Sequence, residues 1–237
     1  MCSNYRPVTR MDRMLSFFGV EIPANQHERD VFPTGEAPFI RLQVEGQEGG
    51  RPALVADDGV FGLLPAFATE VKYGLRTYNA RSETVATLKS FKPAWSTAQR
   101  CIIPAEAIYE PRYFGTVEKP GKSVRYRISQ PGDVPLGIAG IYQRWKEPRG
   151  DKSFFTFTML TVNADGHPFM QDYQKPGDEK RMVVILDPKD YMAWLSCPID
   201  DAPKFFRAWM GVLVGEPAPL ARGVKTAPPP PPQQELF

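Results

Sequence analysis

Short apolar runs separated by polar breaks recur along this chain far more often than a sustained helical repeat. Apolar residues at Met11, Met14, Leu15 and Phe18 fall three and four apart, which predicts an amphipathic helix over residues 8–19, closed by Gly19. Residues 20–38 are rich in proline and polar side chains and read as a loop. Alternating or continuous apolar runs follow at 39–44, 53–56, 60–64, 101–108, 123–128, 136–142, 154–162 and 182–186, several bounded by Gly, Pro or Asp. These predict strands. Helices are expected at 82–89, 187–194 and 203–210, the second opening with Asp187 as N-cap and Pro188 at the first helical position. Many strands with few helices predict an α+β fold, one domain on a largely antiparallel sheet or partly closed barrel. No internal repeat is present.

The pattern ends abruptly near Thr226, where a proline run leads into Gln233-Gln234-Glu235-Leu236-Phe237. Consecutive prolines suit neither a helix nor a central strand, so an extended polyproline spacer is expected. The chain therefore divides into a domain over 1–222 and a disordered proline-rich tail over 223–237. With 237 residues, 42% of them hydrophobic and 12% aromatic, it can bury one substantial core.

Three cysteines, Cys2, Cys101 and Cys197, are an odd number without metal-like spacing, and the histidines are two. Neither a disulfide scaffold nor a zinc site is indicated, and a reducing cytoplasm is expected. No apolar run reaches membrane-spanning length and no signal-peptide core is seen, so no membrane partner is expected. Net charge is only +2, from 29 basic and 27 acidic residues, and composition alone does not mark a nucleic-acid binder. Basic residues nonetheless gather at Arg6, Arg10 and Arg13, at Arg76 and Arg81, and at Lys175, Lys180 and Arg181. A groove lined by them could hold phosphates.

Candidate chemistry begins at Cys2. A small residue after Met1 is the pattern that methionine aminopeptidases process, and Cys2 would then carry a thiol and an α-amine on adjacent carbons. Their ordinary pKa values are about 8.5 and about 8, so both are partly nucleophilic near neutrality. The amine can condense with an aldehyde and the sulfur then close a five-membered thiazolidine. Alternatively, the amine can serve as base for the thiol, as in N-terminal-nucleophile hydrolases.

Four stretches taken together narrow the choice. They are Met1-Cys2; Tyr78-Asn79-Ala80-Arg81-Ser82-Glu83-Thr84 with Phe91-Lys92-Pro93-Ala94-Trp95; Arg100-Cys101-Ile102-Ile103-Pro104-Ala105 running on to Tyr109-Glu110; and Glu179-Lys180-Arg181-Met182-Val183-Val184-Ile185-Leu186. In combination they resemble the SOS-response-associated peptidase family, abasic-site processing proteins, from Cys2 to about Leu186. Phe61-Gly62-Leu63-Leu64-Pro65 stands where that family has W-G-L-x-P. The resemblance implies that Cys2 is the nucleophile, forming a thiazolidine with C1′ of an open-chain abasic sugar in single-stranded DNA. Asn79 would hydrogen-bond the sugar or orient the amine, though asparagine also caps turns. Glu110 would accept the amine's proton and return one to the opening sugar oxygen; Glu106 ranks below it. Arg81 would hold phosphate, the local alternative being an ion pair with Glu83. Arg181, Phe61, Phe67 and Pro33 complete the expected DNA-binding set. Neither cofactor nor metal is implied, and a monomer associated with the nucleoid is expected.

The departures matter as much. Ser3 and Asn4 replace the family's Gly-Arg, and Pro111 replaces the tryptophan after the glutamate. The family's histidine falls at Gln174, which cannot shuttle a proton near neutral pH; His167 is a candidate substitute. Crosslink formation is expected to survive, with histidine-dependent steps slowed. In the tail, Gln233, Leu236 and Phe237 resemble the Q-x-x-L-F peptide that docks on the bacterial sliding clamp, making the clamp a candidate partner. Two other readings stay open: a self-processing cysteine hydrolase, and a non-catalytic, clamp-associated factor that binds single strands.

Overall fold

The computed structural model describes residues 2–22, 30–44 and 52–220; the tail with Gln233, Leu236 and Phe237 lies outside the described residues. In chain order the elements are β1 (Tyr5–Pro7), α1 (Met11–Phe18), β2 (Glu36–Val44), β3 (Pro52–Phe61), β4 (Asn79–Arg81), α2 (Lys92–Ser96), β5 (Arg100–Tyr113), β6 (Ser123–Ser129), β7 (Leu136–Lys146), β8 (Ser153–Asn163), β9 (Arg181–Val183), β10 (Ile185–Leu186), α3 (Tyr191–Ser196) and β11 (Val214–Pro217). Short 3-10 helices occupy Val71–Arg76, Met170–Asp172, Pro188–Asp190 and Ile199–Phe205.

Strand β7 pairs with β8, β8 with β3, β3 with β2, β2 with β5, and β5 returns to β7. Five strands thus close a barrel, antiparallel at every seam except β3–β8. The expected α+β class on a largely antiparallel sheet or partly closed barrel is borne out, and the barrel closes fully. The far half of β5 continues past the barrel, carrying β1 and β6, while β4 and β9 attach to β8. Residues Cys101 to Ile103 are buried in succession, as expected of a strand covered on both faces. The barrel interior is aromatic: Phe157 lies 5.6 Å from Phe39 and 5.7 Å from Phe61, and Tyr5 meets Phe61 edge-on at 5.3 Å. No helix among the described residues is long and apolar enough to cross a membrane.

Helix α1 forms as its spacing predicts, with Met14 and Phe18 buried and Gly19 left-handed at φ 70°. Other expectations need correction. The runs 53–56 and 60–64 are not two strands, because β3 continues through Asp57-Asp58-Gly59. Arg41 on the neighbouring strand bonds Asp57 at 2.6 Å and compensates the charge that looked like a break. Residues 82–89 form consecutive turns instead of a helix, burying only Val85 of that stretch. Helix 203–210 is replaced by a 3-10 helix ending at Phe205, after which Phe206 packs on Trp95 at 5.5 Å. The run 182–186 divides between β9, paired with β8, and β10, paired with β7. Asp187 does precede the 3-10 and α3 pair, but its carboxylate accepts from the Trp209 indole N–H (3.2 Å) and caps no helix.

One close approach steers the chain toward the site. Gly62 has φ 121°, and a Cβ there would lie 2.5 Å from the carbonyl oxygen of Gly74. The contact presses the Val71–Arg76 turn onto the end of β3, from where Thr77 and Tyr78 lead into β4. Gly62→Ala should therefore lose about 3 kcal/mol of stability from backbone strain and overpacking. Urea unfolding monitors it, and a loss below about 1 kcal/mol would mean that the two backbones part easily.

Candidate active site around Cys2

Three segments distant in sequence meet at Cys2. Tyr5 pairs with Ile108 and Arg6 with Ala107, and the Tyr109 N–H donates to the Asn4 carbonyl oxygen (3.2 Å). This antiparallel zipper lays residues 2–4 beside Tyr109, Glu110 and Pro111. From another direction, β4 runs parallel to β8, placing Asn79 opposite Met159. The Asn79 Nδ2 donates to the Cys2 carbonyl oxygen at 2.7 Å. Its Oδ1 is buried without a hydrogen-bond partner among the described residues. Cys2 and Glu110 are each only 1% exposed.

Burial sets the electrostatics. Loss of solvation first, and the nearby Glu110 charge second, push the Cys2 thiol up to about 12, so the sulfur is protonated at neutral pH. Burial also raises the Glu110 carboxyl above the ordinary range, and a hydrogen bond with the Gln174 side chain draws it partly back. The half-buried Tyr78 phenol is raised as well, by burial first and then by the charges of Cys2 and Glu110.

Gln174, which the sequence reading sets at the family's histidine position, is locked in place. Its N–H donates to the Pro111 carbonyl oxygen (2.6 Å), directly after Glu110. Its side-chain Nε2 donates to the Arg181 carbonyl oxygen (2.7 Å) and its Oε1 accepts from the Arg181 N–H (3.0 Å). The residue holds φ 65°, a left-handed conformation that this double clamp maintains. His167 is not a substitute. Its Nδ1 accepts from the N–H groups of Phe169 and Met170 (both 3.1 Å), and Nε2 meets the Trp209 carbonyl oxygen at 2.9 Å. Both ring nitrogens are thus occupied in a structural cap.

Of the other expected residues, Arg81 is the exposed cation, 49% accessible and paired with Glu179 at 3.0 Å instead of Glu83. Glu83 belongs to Arg181, whose Nη1 and Nη2 donate to it at 2.8 and 2.9 Å. Arg181 is buried and also bonds Glu179 (2.7 Å) and the Thr161 carbonyl oxygen (2.8 Å). It therefore braces the acidic pair, which corrects its placement at a phosphate. Phe61 is likewise corrected: it is fully buried in the barrel and offers no face to a base. Phe67 is 42% exposed, edge-on to Tyr73, with Lys89 Nζ 4.8 Å from its ring centre. Pro33 sits half-buried in the turn before Thr34. Glu106 is tied to Arg13 by two 2.6 Å bonds, because a bulge between Arg6 and Pro7 leaves it outside the β1–β5 register.

A further cluster gave no sequence signal. Asp30 accepts from Arg6 (2.8 Å), Arg125 (2.5 Å) and the Tyr109 hydroxyl (3.0 Å), and the Arg125 guanidinium stacks 3.4 Å from the Tyr109 ring centre. It fastens β1 to β5 and β6, next to Cys2. Asp30 lies in the proline-rich polar loop, where nothing distinguishes it from a solvated side chain.

The model of the family described as SOS response associated peptidase matches residues 1–211. The chain belongs to the SRAP family. Among its relatives, the abasic site processing protein YoqW of Bacillus subtilis (strain 168) is 32% identical over 149 residues, covering 62% of this chain and 60% of that protein. The abasic site processing protein HMCES of Gallus gallus is 26% identical over 197 residues, covering 74% of this chain and 56% of that protein. The chain thus spans about three fifths of the length of the curated relatives it matches. A crystal structure of a protein from Bordetella bronchiseptica superposes with a TM-score of 0.77 at 35% identity, covering 92% of this chain and 100% of that one.

In this SRAP domain the Arg181–Glu83 pair makes stability depend on acid. Hydrogen bonds from Arg181 hold the Glu83 carboxyl down to about 2, against an ordinary 4.5. A depressed carboxyl stabilises the fold above its unfolded pKa, and the contribution disappears as pH falls toward 2. Glu83→Gln should cost about 1 kcal/mol at pH 7, a figure reduced for the half-exposed carboxylate, and the two proteins should converge between pH 5 and 2. Parallel thermal-melting curves across that range would show that the pair contributes nothing.

Proposed function

We propose that this protein processes abasic sites in single-stranded DNA by forming a covalent crosslink through Cys2 once Met1 has been removed. The observation that carries this is the convergence of Cys2, Asn79 and the buried Glu110, with the Cys2 carbonyl fixed by Asn79. Membership of a family whose relatives are named abasic site processing proteins supports it.

The α-amine attacks C1′ of the open-chain sugar to give a carbinolamine, which loses water to form an imine. The Cys2 sulfur then adds to the imine carbon, its proton passes to the imine nitrogen, and the thiazolidine closes with water as the one by-product. Glu110, with its raised proton affinity, takes the ammonium proton and returns it to the departing hydroxyl. A thiol that is protonated at rest suits this order, because the amine reacts first and the sulfur enters carrying its hydrogen. The buried Asn79 Oδ1 is an acceptor suited to the amine or to a sugar hydroxyl. Arg81 would exchange Glu179 for a backbone phosphate, giving salt-dependent affinity. An unpaired strand presents the sugar without the cost of unstacking a duplex.

Purified protein mixed with an oligonucleotide bearing one abasic site should give a heat-stable adduct on a denaturing gel. Its mass should lack Met1, and Cys2→Ala should abolish it. Glu110→Gln should slow its formation about 100-fold, the scale of one acid–base group. Single-strand binding without an adduct would reduce the protein to a binding factor, whereas turnover of generic peptides would favour the cysteine-hydrolase reading.

Gln174 leaves proton transfer to Glu110, so steps that need a second acid should be slow. Gln174→His should speed release of the crosslinked DNA about tenfold or more, histidine tolerating a left-handed backbone better than most residues. An unchanged release rate in a folded variant would mean that this position takes no part in reversal.

A further inference from the structure

Beyond Glu110, β5 leaves the site and ends in a built hairpin with an aromatic tip. Pro111 is followed by Arg112, whose guanidinium lies 5.7 Å from the ring centre of Phe114, 5.5 Å from Tyr126 and 5.8 Å from Tyr173. Phe114 and Tyr126 are 6.3 Å apart, and Tyr126 meets Tyr173 edge-on at 5.8 Å. Tyr126 and Tyr173 are buried, but Phe114 is 64% exposed, backed by the Arg112 guanidinium and the Tyr126 ring. Arg112 is steadied by Asp172 at 2.8 Å. The hairpin tip is ordered, with Thr116 N–H donating to the Lys119 carbonyl oxygen (3.0 Å) and Lys119 N–H to the Thr116 hydroxyl (3.2 Å).

This surface is continuous with the candidate active site on two sides. Tyr126 stands opposite Glu110 in the β5–β6 register, and Tyr173 immediately precedes Gln174 while bridging to Arg112. Val117 reaches the loop that bears Gln174, since a Cβ on Gly177 would come within 3.0 Å of it. Lys119 and Lys122 belong to the hairpin and Lys175 and Lys180 to that loop, with Glu118 and Asp178 on the same segments. An exposed aromatic face backed by a guanidinium, continuous with the candidate site, fits a base held next to a phosphate backbone.

We propose that Phe114 stacks a nucleobase of the strand whose abasic sugar reacts at Cys2, a proposal that rests on the crosslinking reading above. Four residue steps along β5 and just past its end lead from Glu110 to Phe114, about 13 Å in extended chain. That distance places the stacked base about two nucleotides from the lesion on an extended single strand. Phe114 would thereby provide an aromatic contact in a chain where Pro111 stands in place of a tryptophan and Phe61 is enclosed in the core.

The test uses the full chain and oligonucleotides carrying a stable tetrahydrofuran abasic analogue, with 2-aminopurine placed in turn at each of the nearest three positions on either side. The wild type should perturb the fluorescence of 2-aminopurine strongly at one or two positions on one side. Phe114→Ala should lose that signal and about tenfold in affinity, the size of one base–aromatic stack, while Phe114→Trp restores both. On a true abasic site, Phe114→Ala should slow adduct formation to a similar degree, but not when tetrahydrofuran residues replace the bases on that side. Unchanged affinity in Phe114→Ala, or an equal loss on the base-free strand, would overturn the proposal. A wild type that perturbs the probe but forms no adduct would remove the crosslinking reading and leave the stacking surface standing.

Discussion

Everything at this site depends on the pairing of β1 with the far half of β5. Only three residues long, β1 owes its hold to what surrounds its ladder. Tyr5 is buried against Phe61, and Arg6 pairs with Asp30, which also collects Arg125 and the Tyr109 hydroxyl. Apolar burial on one side and an ion cluster on the other leave the chain little freedom to slip in register. A slip of one residue would exchange the two faces of the strand and carry Cys2 away from Glu110. The geometry around Cys2 is thus built by tertiary contacts beyond the strand's own ladder.

That restraint has an electrostatic consequence. A cysteine beside a buried carboxylate is a poor place for a thiolate, since both burial and charge oppose its ionisation. The site therefore disfavours the chemistry of an ordinary cysteine protease, which starts from an ionised sulfur. The proposed crosslinking avoids that demand, since it begins at nitrogen and uses the carboxylate as a proton carrier. Gln174 fits the same scheme: its amide binds the Arg181 backbone and reaches Glu110, so it sets the position of the acid without competing for the proton.

How legible was this in the sequence? The strand-rich class, α1 with its glycine cap, and the grouping of Cys2, Asn79 and Glu110 could be read from period and motif, because each rests on local pattern or a specific residue string. What could not be read depends on partners distant in the chain. The Asp57-Asp58-Gly59 stretch looks like a turn until Arg41 is placed beside Asp57. Strands of three residues, such as β1 and β4, carry too few positions to show alternation. Phe61 and Arg181 were misread for a shared reason: an aromatic and a cation in a DNA-associated motif look like ligand contacts, yet both are enclosed. In a barrel the inward face of a strand is core, and β3 turns Phe61 inward.

The charge network around Arg181 shows why a single arginine of that region faces outward. Burying a guanidinium is costly unless its donors are met, and Arg181 meets most of them with Glu83, Glu179 and Thr161. Those acids satisfy the buried guanidinium, yet on the proposed reading they also place negative charge where a phosphate would approach. Glu83 is neutralised by its two bonds to Arg181, but Glu179 has a second oxygen left over, and Arg81 takes it at 3.0 Å. Arg81 is therefore held by a partner that is itself accessible and easily screened, one that a phosphate would, on the proposed reading, displace at little cost. The buried arginine keeps the acids in place, and Glu179 in turn holds the exposed arginine at the end of β4, two residues from Asn79.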